Sequence, residues 1–97
     1  MSVTVILDLK TQPGSMEALK AVFVEALPDT RKFDGCEGLE VLINQDEGDN
    51  LMLVERWASR QQYEKYFAWR QETGLIDKLG PLLAAPPGLR YMDDTGI

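Results

Sequence analysis

The sequence contains no histidine and only one cysteine, Cys36. Histidine is the usual general base near neutral pH and the commonest metal ligand, so its absence removes the simplest routes to hydrolytic and metal-dependent chemistry. A zinc site would need mostly carboxylates, and we therefore expect no metal. A single cysteine cannot form an internal disulfide. Together with an N-terminus that lacks the features of a signal peptide, it favours the cytoplasm.

Positive charge is also scarce, because 10 lysines and arginines face 16 aspartates and glutamates, and the net charge is −6. The cations form no cluster, and phosphate groups require a positive surface, so nucleic acids and anionic membranes are disfavoured as partners. No apolar run approaches the roughly 20 residues that cross a bilayer. At 97 residues the chain has the length of one domain, which we expect to span residues 1–97.

Apolar periodicity predicts the element order β-α-β-β-α-β. The predicted strands are residues 3–10, 39–45, 51–57 and 89–93, and the predicted helices are residues 16–32, 60–72 and 75–83. Alternating apolar residues indicate the strands, and apolar residues three and four apart indicate the helices. Pro28 is expected to end or kink the first helix near Leu27, because proline donates no backbone hydrogen bond.

This order is typical of the ferredoxin-like α+β fold, in which both main helices lie on one face of a four-stranded antiparallel sheet. The first three strands carry apolar residues on both faces, and no segment remains to cover the second face. We therefore expect a homodimer that packs sheet on sheet.

Most of the aromatic side chains cluster where the third strand leads into the following helix. The strand ends in Trp57, and the helix then presents, at helical spacing, the residues Tyr63, Tyr66, Phe67 and Arg70. Large aromatic side chains line ligand sites as well as cores, so this junction is expected to form one wall of a pocket. The alternative is an ordinary core, in which the tyrosine hydroxyls bond to backbone or water and Arg70 pairs with a carboxylate.

Glu55 lies one strand period before Trp57, so the two side chains point to the same side. A carboxylate that faces a pocket has a raised pKa and can serve as a base. An ion pair is the alternative. The predicted catalytic residues are Tyr63, Tyr66 and Glu55, and the predicted substrate-binding residues are Trp57, Phe23, Phe67 and Arg70.

Several short motifs occur in an order that resembles one protein family. They are KTQPG at residues 10–14, FDGCEG at 33–38, LVERWAS at 53–59, YEKY at 63–66 and LGPLL at 79–83. They are similar to the antibiotic biosynthesis monooxygenase family of dimeric α+β barrels, and the resemblance covers nearly the whole chain. It implies a homodimer whose two sheets form a barrel, with a pocket between sheet and helices in each subunit.

Some members of that family oxidise polyketide anthrones or quinols with molecular oxygen and no cofactor, and others degrade haem or process small signalling molecules. Trp57 falls on the family's strand-end tryptophan, and Tyr63 matches the tyrosine six residues later in the anthrone oxygenases. The asparagine that those enzymes carry four residues before the tryptophan is Leu53 here. The helix histidine that haem degraders need is absent, so haem degradation is not expected.

The resemblance implies a cofactor-independent monooxygenase whose partner is a small aromatic substrate, such as a quinol or an anthrone. Two other functions stay open. One is a non-catalytic dimeric barrel that binds a small apolar ligand, and the other is an isomerase or signal-processing enzyme acting on a small carbonyl compound, in which Glu55 would matter more than the tyrosines. A cavity below ~300 Å³ around Trp57 would favour a pocket filled by its own side chains.

Overall fold

The computed structural model describes residues 2–97. The strands are β1 (Val3–Lys10), β2 (Cys36–Ile43), β3 (Asn50–Trp57) and β4 (Gly88–Met92), and the helices are α1 (Met16–Lys32), α2 (Arg60–Thr73) and α3 (Leu75–Leu79), with a 3-10 turn at Gly80–Leu82. The strands form one antiparallel sheet in the order β2-β3-β1-β4. The predicted ferredoxin-like α+β fold is confirmed.

The central strand β1 determines which side chains face the helices. Its helix-facing residues are Val3, Val5, Leu7 and Leu9, of which all but Leu7 are buried. The register places Val5 beside Glu55, and Leu7 beside both Leu53 and Leu89. Side chains in register share a face of the sheet, so the carboxyl of Glu55 lies in an otherwise apolar row under the helices.

The core consists of two clusters of buried side chains. The first contains Leu9, Met16, Leu19, Phe23, Leu27, Leu51, Leu53 and Leu79, and the second contains Val3, Val5, Trp57, Tyr63 and Tyr66. The first joins α1 and α3 to the sheet and is aliphatic apart from Phe23. The second joins α2 to the sheet and is largely aromatic. The site described below lies where the two clusters meet.

The predicted helix over residues 16–32 is confirmed as α1 (Met16–Lys32), and it does not end at Leu27, because it continues through Pro28. Pro28 lies on the exposed side of α1, four residues after Val24, which is 77% exposed. The carbonyl left without its helical donor can therefore bond to water, and the helix loses one hydrogen bond without being broken. As a consequence Thr30, which is fully buried, is held on a regular helical turn that faces α2.

The second strand begins and ends earlier than predicted, at Cys36–Ile43 instead of residues 39–45. Gly38, at a φ of 143°, belongs to the strand and lies where the register with β3 shifts. The strand ends before Asn44, because the side-chain oxygen of Asn44 accepts a 2.9 Å hydrogen bond from the backbone N–H of Asp46 and starts the hairpin turn.

Candidate functional site

A largely apolar cavity of about 320 Å³ lies between the sheet and the helices. Leu7, Leu53 and Leu89 line the sheet side, while Phe23 and Leu27 of α1 line the opposite side. Residues after α2 close the remaining end, namely Leu75, Ile76, Leu79, Gly80, Leu83 and Pro87. Ligand sites begin at roughly 300 Å³, so this volume suits one small aromatic molecule.

Six of the seven predicted site residues line this cavity, namely Phe23, Glu55, Tyr63, Tyr66, Phe67 and Arg70. Tyr63, Tyr66 and Arg70 share the buried face of α2, as their spacing predicted. The helix is positioned at its start by Ser59, whose hydroxyl oxygen accepts a 3.2 Å hydrogen bond from the backbone N–H of Gln62. The cavity therefore contains one carboxyl, two phenols and one guanidinium against an apolar background.

Trp57 is the exception, because it does not line the cavity. Its side chain is fully buried and packs edge-on against the rings of Phe33 and Tyr63 and at a tilt against Tyr66. Its indole Nε1 donates a 3.0 Å hydrogen bond to Oε1 of Glu55. The contact expected between Trp57 and a ligand is therefore not available in this arrangement, and Trp57 instead holds the carboxyl that does face the cavity.

Glu55 is the buried acid of the site, with 3% of its surface exposed. Burial raises the pKa of its carboxyl above the ordinary value of 4.5, while the hydrogen bond from Trp57 and the charge of Arg70 oppose that rise. Oε2 makes no hydrogen bond to residues 2–97. Every side-chain oxygen or nitrogen that is fully buried in that range has a hydrogen-bond partner. Since Oε2 has none, it is not fully buried and remains accessible. Glu55 can therefore accept a proton from a bound molecule.

Tyr63 offers the site a hydrogen-bond donor. The side chain is 4% exposed, and its hydroxyl forms no hydrogen bond within the described part of the chain, so by the same reasoning it remains accessible. Burial, followed by the charge of Glu55, raises the pKa of Tyr63 far above its ordinary value. The phenol therefore stays protonated at any pH near neutrality and can donate to an oxygen of a bound molecule.

Tyr66 has a different environment, because its hydroxyl is already bonded on both sides. It lies 2.7 Å from Oγ1 of Thr30 and accepts a 2.9 Å hydrogen bond from Nε of Arg70. Nη2 of Arg70 donates to Oγ1 of Thr30 at 2.9 Å and to the backbone carbonyl of Ala26 at 2.6 Å. These bonds tie α2 to α1 and hold the guanidinium in place, so Tyr66 positions Arg70.

The ion pair that was considered for Arg70 is not found: in residues 2–97 its guanidinium pairs with no carboxylate. Sequence reasoning also missed Thr30, because apolar periodicity identifies core positions of a helix and does not single out a polar side chain that bonds to another helix. It predicted a helix over residues 75–83 without assigning its leucines to the site, since apolar spacing looks the same for a core helix and for the wall of a cavity.

Residues 2–97 contain neither a cluster of metal-binding side chains nor a helix that could span a membrane. Histidine, cysteine, aspartate and glutamate side chains form no group of three or more there that could hold a metal ion. None of the helices in that range has the length and apolarity needed to cross a membrane.

Comparison with known proteins gives matches in sequence and in structure. The family model described as antibiotic biosynthesis monooxygenase matches residues 2–72. Rv0793 from Mycobacterium tuberculosis has a similar structure, with a TM-score of 0.86 and 26% identity over 97% of this chain and 95% of that one. A structure named antibiotic biosynthesis monooxygenase has a TM-score of 0.86 and 17% identity over 96% of this chain and 98% of its own.

A conserved protein from Methanosarcina mazei Go1 also shares the fold, with a TM-score of 0.87 and 13% identity over 95% of this chain and 91% of that one. Among curated proteins none matches the chain. The family match includes Glu55, Tyr63, Tyr66 and Arg70, and it ends before α3 and the other residues that close the cavity.

Proposed function

Because the chain belongs to the antibiotic biosynthesis monooxygenase family, we propose that it is a monooxygenase that acts on an electron-rich aromatic compound, such as a quinol or an anthrone, without a cofactor. The observation that carries the proposal is the apolar cavity with an accessible carboxyl oxygen of Glu55 and an accessible hydroxyl of Tyr63 on its wall. A relative of the same fold named antibiotic biosynthesis monooxygenase supports the general activity.

The first step of the proposed reaction is proton transfer. Glu55 removes a proton from the acidic C–H or O–H group of the aromatic substrate, and the Tyr63 hydroxyl donates a hydrogen bond to the substrate oxygen that gains charge. The apolar walls exclude water, which strengthens both interactions. The product of this step is a substrate anion that is rich enough in electrons to react with molecular oxygen.

Molecular oxygen is the only co-reactant that the remaining steps need. The anion transfers one electron to oxygen, the two radicals combine to form a carbon–oxygen bond, and the resulting peroxide anion takes up a proton. For a CH₂ group, loss of the second C–H proton then breaks the O–O bond, giving a carbonyl and one molecule of water. The substrate loses two hydrogens and gains one oxygen atom, so the two oxygen atoms are fully accounted for.

A second candidate function is isomerisation of a small carbonyl compound. The accessible oxygen of Glu55 favours it, since moving a double bond requires one group that accepts and returns a proton. Non-catalytic binding of an apolar ligand is the third, because the cavity is lined mainly by leucines. Oxygen consumption separates the first function from both others.

We expect the purified protein to consume oxygen in the presence of a quinol or an anthrone and no added cofactor. Replacing Tyr63 by phenylalanine removes one donor to the developing anion and should lower the rate above autoxidation on the order of 10²-fold. Tyr91→Phe is the matched control, because Tyr91 contacts the ring of Tyr63 but does not line the cavity. Rates equal to autoxidation across a broad panel, or full activity in Tyr63→Phe, would contradict this role.

We also propose that two copies of the chain pack through the face of the sheet that the helices do not cover. Its central residues Ile6, Met52 and Val54 are apolar and half-buried, and Leu42 and Met92 beside them are each 46% exposed. A second copy that covers this face would bury them, as in homodimers whose interfaces resemble a core.

Light scattering should therefore give twice the chain mass of 10.9 kDa. Val54→Lys places a charge in the middle of this face and should shift the protein toward the monomer at micromolar concentration. Val24→Lys, at a position on α1 that is 77% exposed, should leave the mass unchanged. A stable monomer of the unaltered protein would refute the proposed dimer.

The cytoplasm is the compartment that we propose for this protein. Cys36 is a free, half-buried thiol. Small secreted domains commonly depend on disulfides, whereas reducing compartments keep thiols free. The sheet and its two core clusters give this chain an ordered structure without such a bond.

A further inference from the structure

We propose that the molecule bound in this cavity carries an anionic oxygen, a carboxylate or an ionised phenol, and that this oxygen pairs with the guanidinium of Arg70. The inference rests on the proposed function in that it uses the same cavity. It goes further by naming a charged group on the substrate and the residue that selects for it.

Arg70 is a buried cation that forms no ion pair in residues 2–97. Arg70 is 6% exposed, and arginine keeps its proton at every accessible pH. Taking a charge out of water is expensive unless it is paired, and the hydrogen bonds of Arg70 go only to uncharged groups. A ligand with a negative oxygen would supply the missing charge.

The guanidinium of Arg70 is held through two of its three nitrogens. Nε and Nη2 are occupied by Tyr66, Thr30 and Ala26, whereas Nη1 has no hydrogen-bond partner within residues 2–97. Every fully buried side-chain nitrogen there has a partner, so Nη1 is not fully buried, and Arg70 is one of the residues that line the cavity. Because these bonds already hold the side chain in one conformation, binding through Nη1 costs little of the conformational entropy that a mobile arginine would lose.

Three carboxyl groups lie near Arg70, and none of them forms an ion pair with it in residues 2–97. Glu55 lines the same cavity, where burial raises the pKa of its carboxyl although the charge of Arg70 opposes that rise. Glu25 and Asp29 of α1 line a separate, more polar hollow that Arg70 also borders, and neither of them pairs with it. If Glu25 and Asp29 neutralised the charge of Arg70, the cavity would show no preference for an anionic ligand. The relative affinities of an anionic and a neutral ligand test this.

The remaining walls indicate the rest of the ligand. Phe23, Phe67 and Leu53 line the cavity and suit the flat apolar body of an aromatic ring system. A ligand with its anionic oxygen at Arg70 would therefore place its ring among these side chains, within the cavity that Glu55 and Tyr63 also line. An aromatic acid, or a phenol bound in its ionised form, fits this description.

Calorimetry with two matched probes tests the inference without any turnover. 2-Naphthoate carries a carboxylate and has no phenol or acidic C–H group to oxidise, and its methyl ester has the same ring without the charge. We expect the unaltered protein to bind the acid about 10- to 100-fold more tightly than the ester, the range for a hydrogen bond to a charged group.

Arg70→Gln should abolish this preference, and Arg60→Gln is the matched control. Arg60 lies on the same helix but outside the cavity, and it pairs with Glu64 at the surface. Since Arg70 also ties α1 to α2, circular dichroism must show that the variant is folded. The comparison of acid with ester on the unaltered protein needs no variant and stands if Arg70→Gln unfolds.

A second probe distinguishes the two sources of the anionic oxygen. If the natural group is an ionised phenol, bound 2-naphthol should show the absorbance of its anion at a lower pH than free 2-naphthol, and Arg70→Gln should reverse this shift. A positive result with either probe supports the inference and identifies the oxygen. Equal binding of acid and ester together with an unshifted naphthol overturns it, whatever the oxygen-uptake assay shows.

Discussion

Replacing Glu55 by glutamine should lower oxygen uptake by on the order of 10²–10⁴-fold, which is the usual contribution of a general base. Glutamine has nearly the same shape, and its side-chain oxygen can still accept the hydrogen bond that Trp57 donates to Glu55 at 3.0 Å. The substitution therefore removes the proton acceptor and leaves the wall of the cavity in place. The measurement is uptake above autoxidation at a fixed substrate concentration.

The same substitution should stabilise the protein at neutral pH. Burial raises the pKa of Glu55 in the folded state above the unfolded value near 4.5, so the folded protein binds this proton more tightly. Stability then falls as the pH rises from the unfolded pKa through the folded pKa. Glutamine does not ionise, so Glu55→Gln should remove this decline. The difference in the free energy of unfolding between the variant and the unaltered protein should therefore be larger at pH 8 than at pH 4.

The activity of the unaltered protein should have the opposite pH dependence, because the base must be ionised to act. Uptake should rise with pH through the raised pKa of Glu55 and level off above it. Glu72→Gln provides the control, since Glu72 is exposed at the end of α2 and does not line the cavity, and this substitution should leave the activity unchanged. Retained activity in Glu55→Gln would remove Glu55 from the mechanism.

Replacing Trp57 by alanine should destabilise the fold by about 3–5 kcal/mol, the usual cost of deleting a large buried aromatic side chain. Trp57 is fully buried and packs against Phe33, Tyr63 and Tyr66, so the neighbouring rings cannot easily fill the space. Domains of this size are stable by only about 5–15 kcal/mol. Urea unfolding should therefore show a midpoint well below that of the unaltered protein.

Trp57→Phe separates the packing of the ring from its hydrogen bond. Phenylalanine keeps an aromatic ring but cannot donate to Glu55, so the pKa of Glu55 should rise further and the activity profile should move to higher pH. Trp69→Ala is the control for Trp57→Ala. Because Trp69 is only half-buried, its replacement should lower the free energy of unfolding by less. An unchanged activity profile in Trp57→Phe would show that this hydrogen bond does not control Glu55.

The sequence was sufficient to place Tyr63, Tyr66 and Arg70 on one face of α2, because a helical period depends only on residue spacing. It could not decide how deep each residue of a strand lies. Glu55 and Trp57 point to the same side of β3, yet one faces the cavity and the other lies behind the wall. That difference arises where the two core clusters meet, which depends on how the helices pack and not on the strand itself.

The partners of Arg70 illustrate the same limit. Ala26 lies 44 residues before Arg70 in the sequence, and Thr30 lies 40 residues before it. No local pattern connects either residue with α2. Thr30 lay within the predicted helix over residues 16–32, but a helical period does not indicate that its hydroxyl bonds to Tyr66 and Arg70. The resemblance to a family indicated the region of the site, and only the structure showed which groups are free to bind.

The division of the cavity between two parts of the chain has a consequence for how such a protein can change in evolution. The groups that would carry out chemistry, Glu55 and Tyr63, belong to the segment that matches the family, residues 2–72. The segment that closes the cavity, from Leu75 to Leu89, lies outside it. Substitutions in the closing segment can alter the size and shape of the accepted molecule while the reactive groups keep their geometry. A library of variants confined to those positions is therefore the natural starting point for redirecting the protein to new substrates.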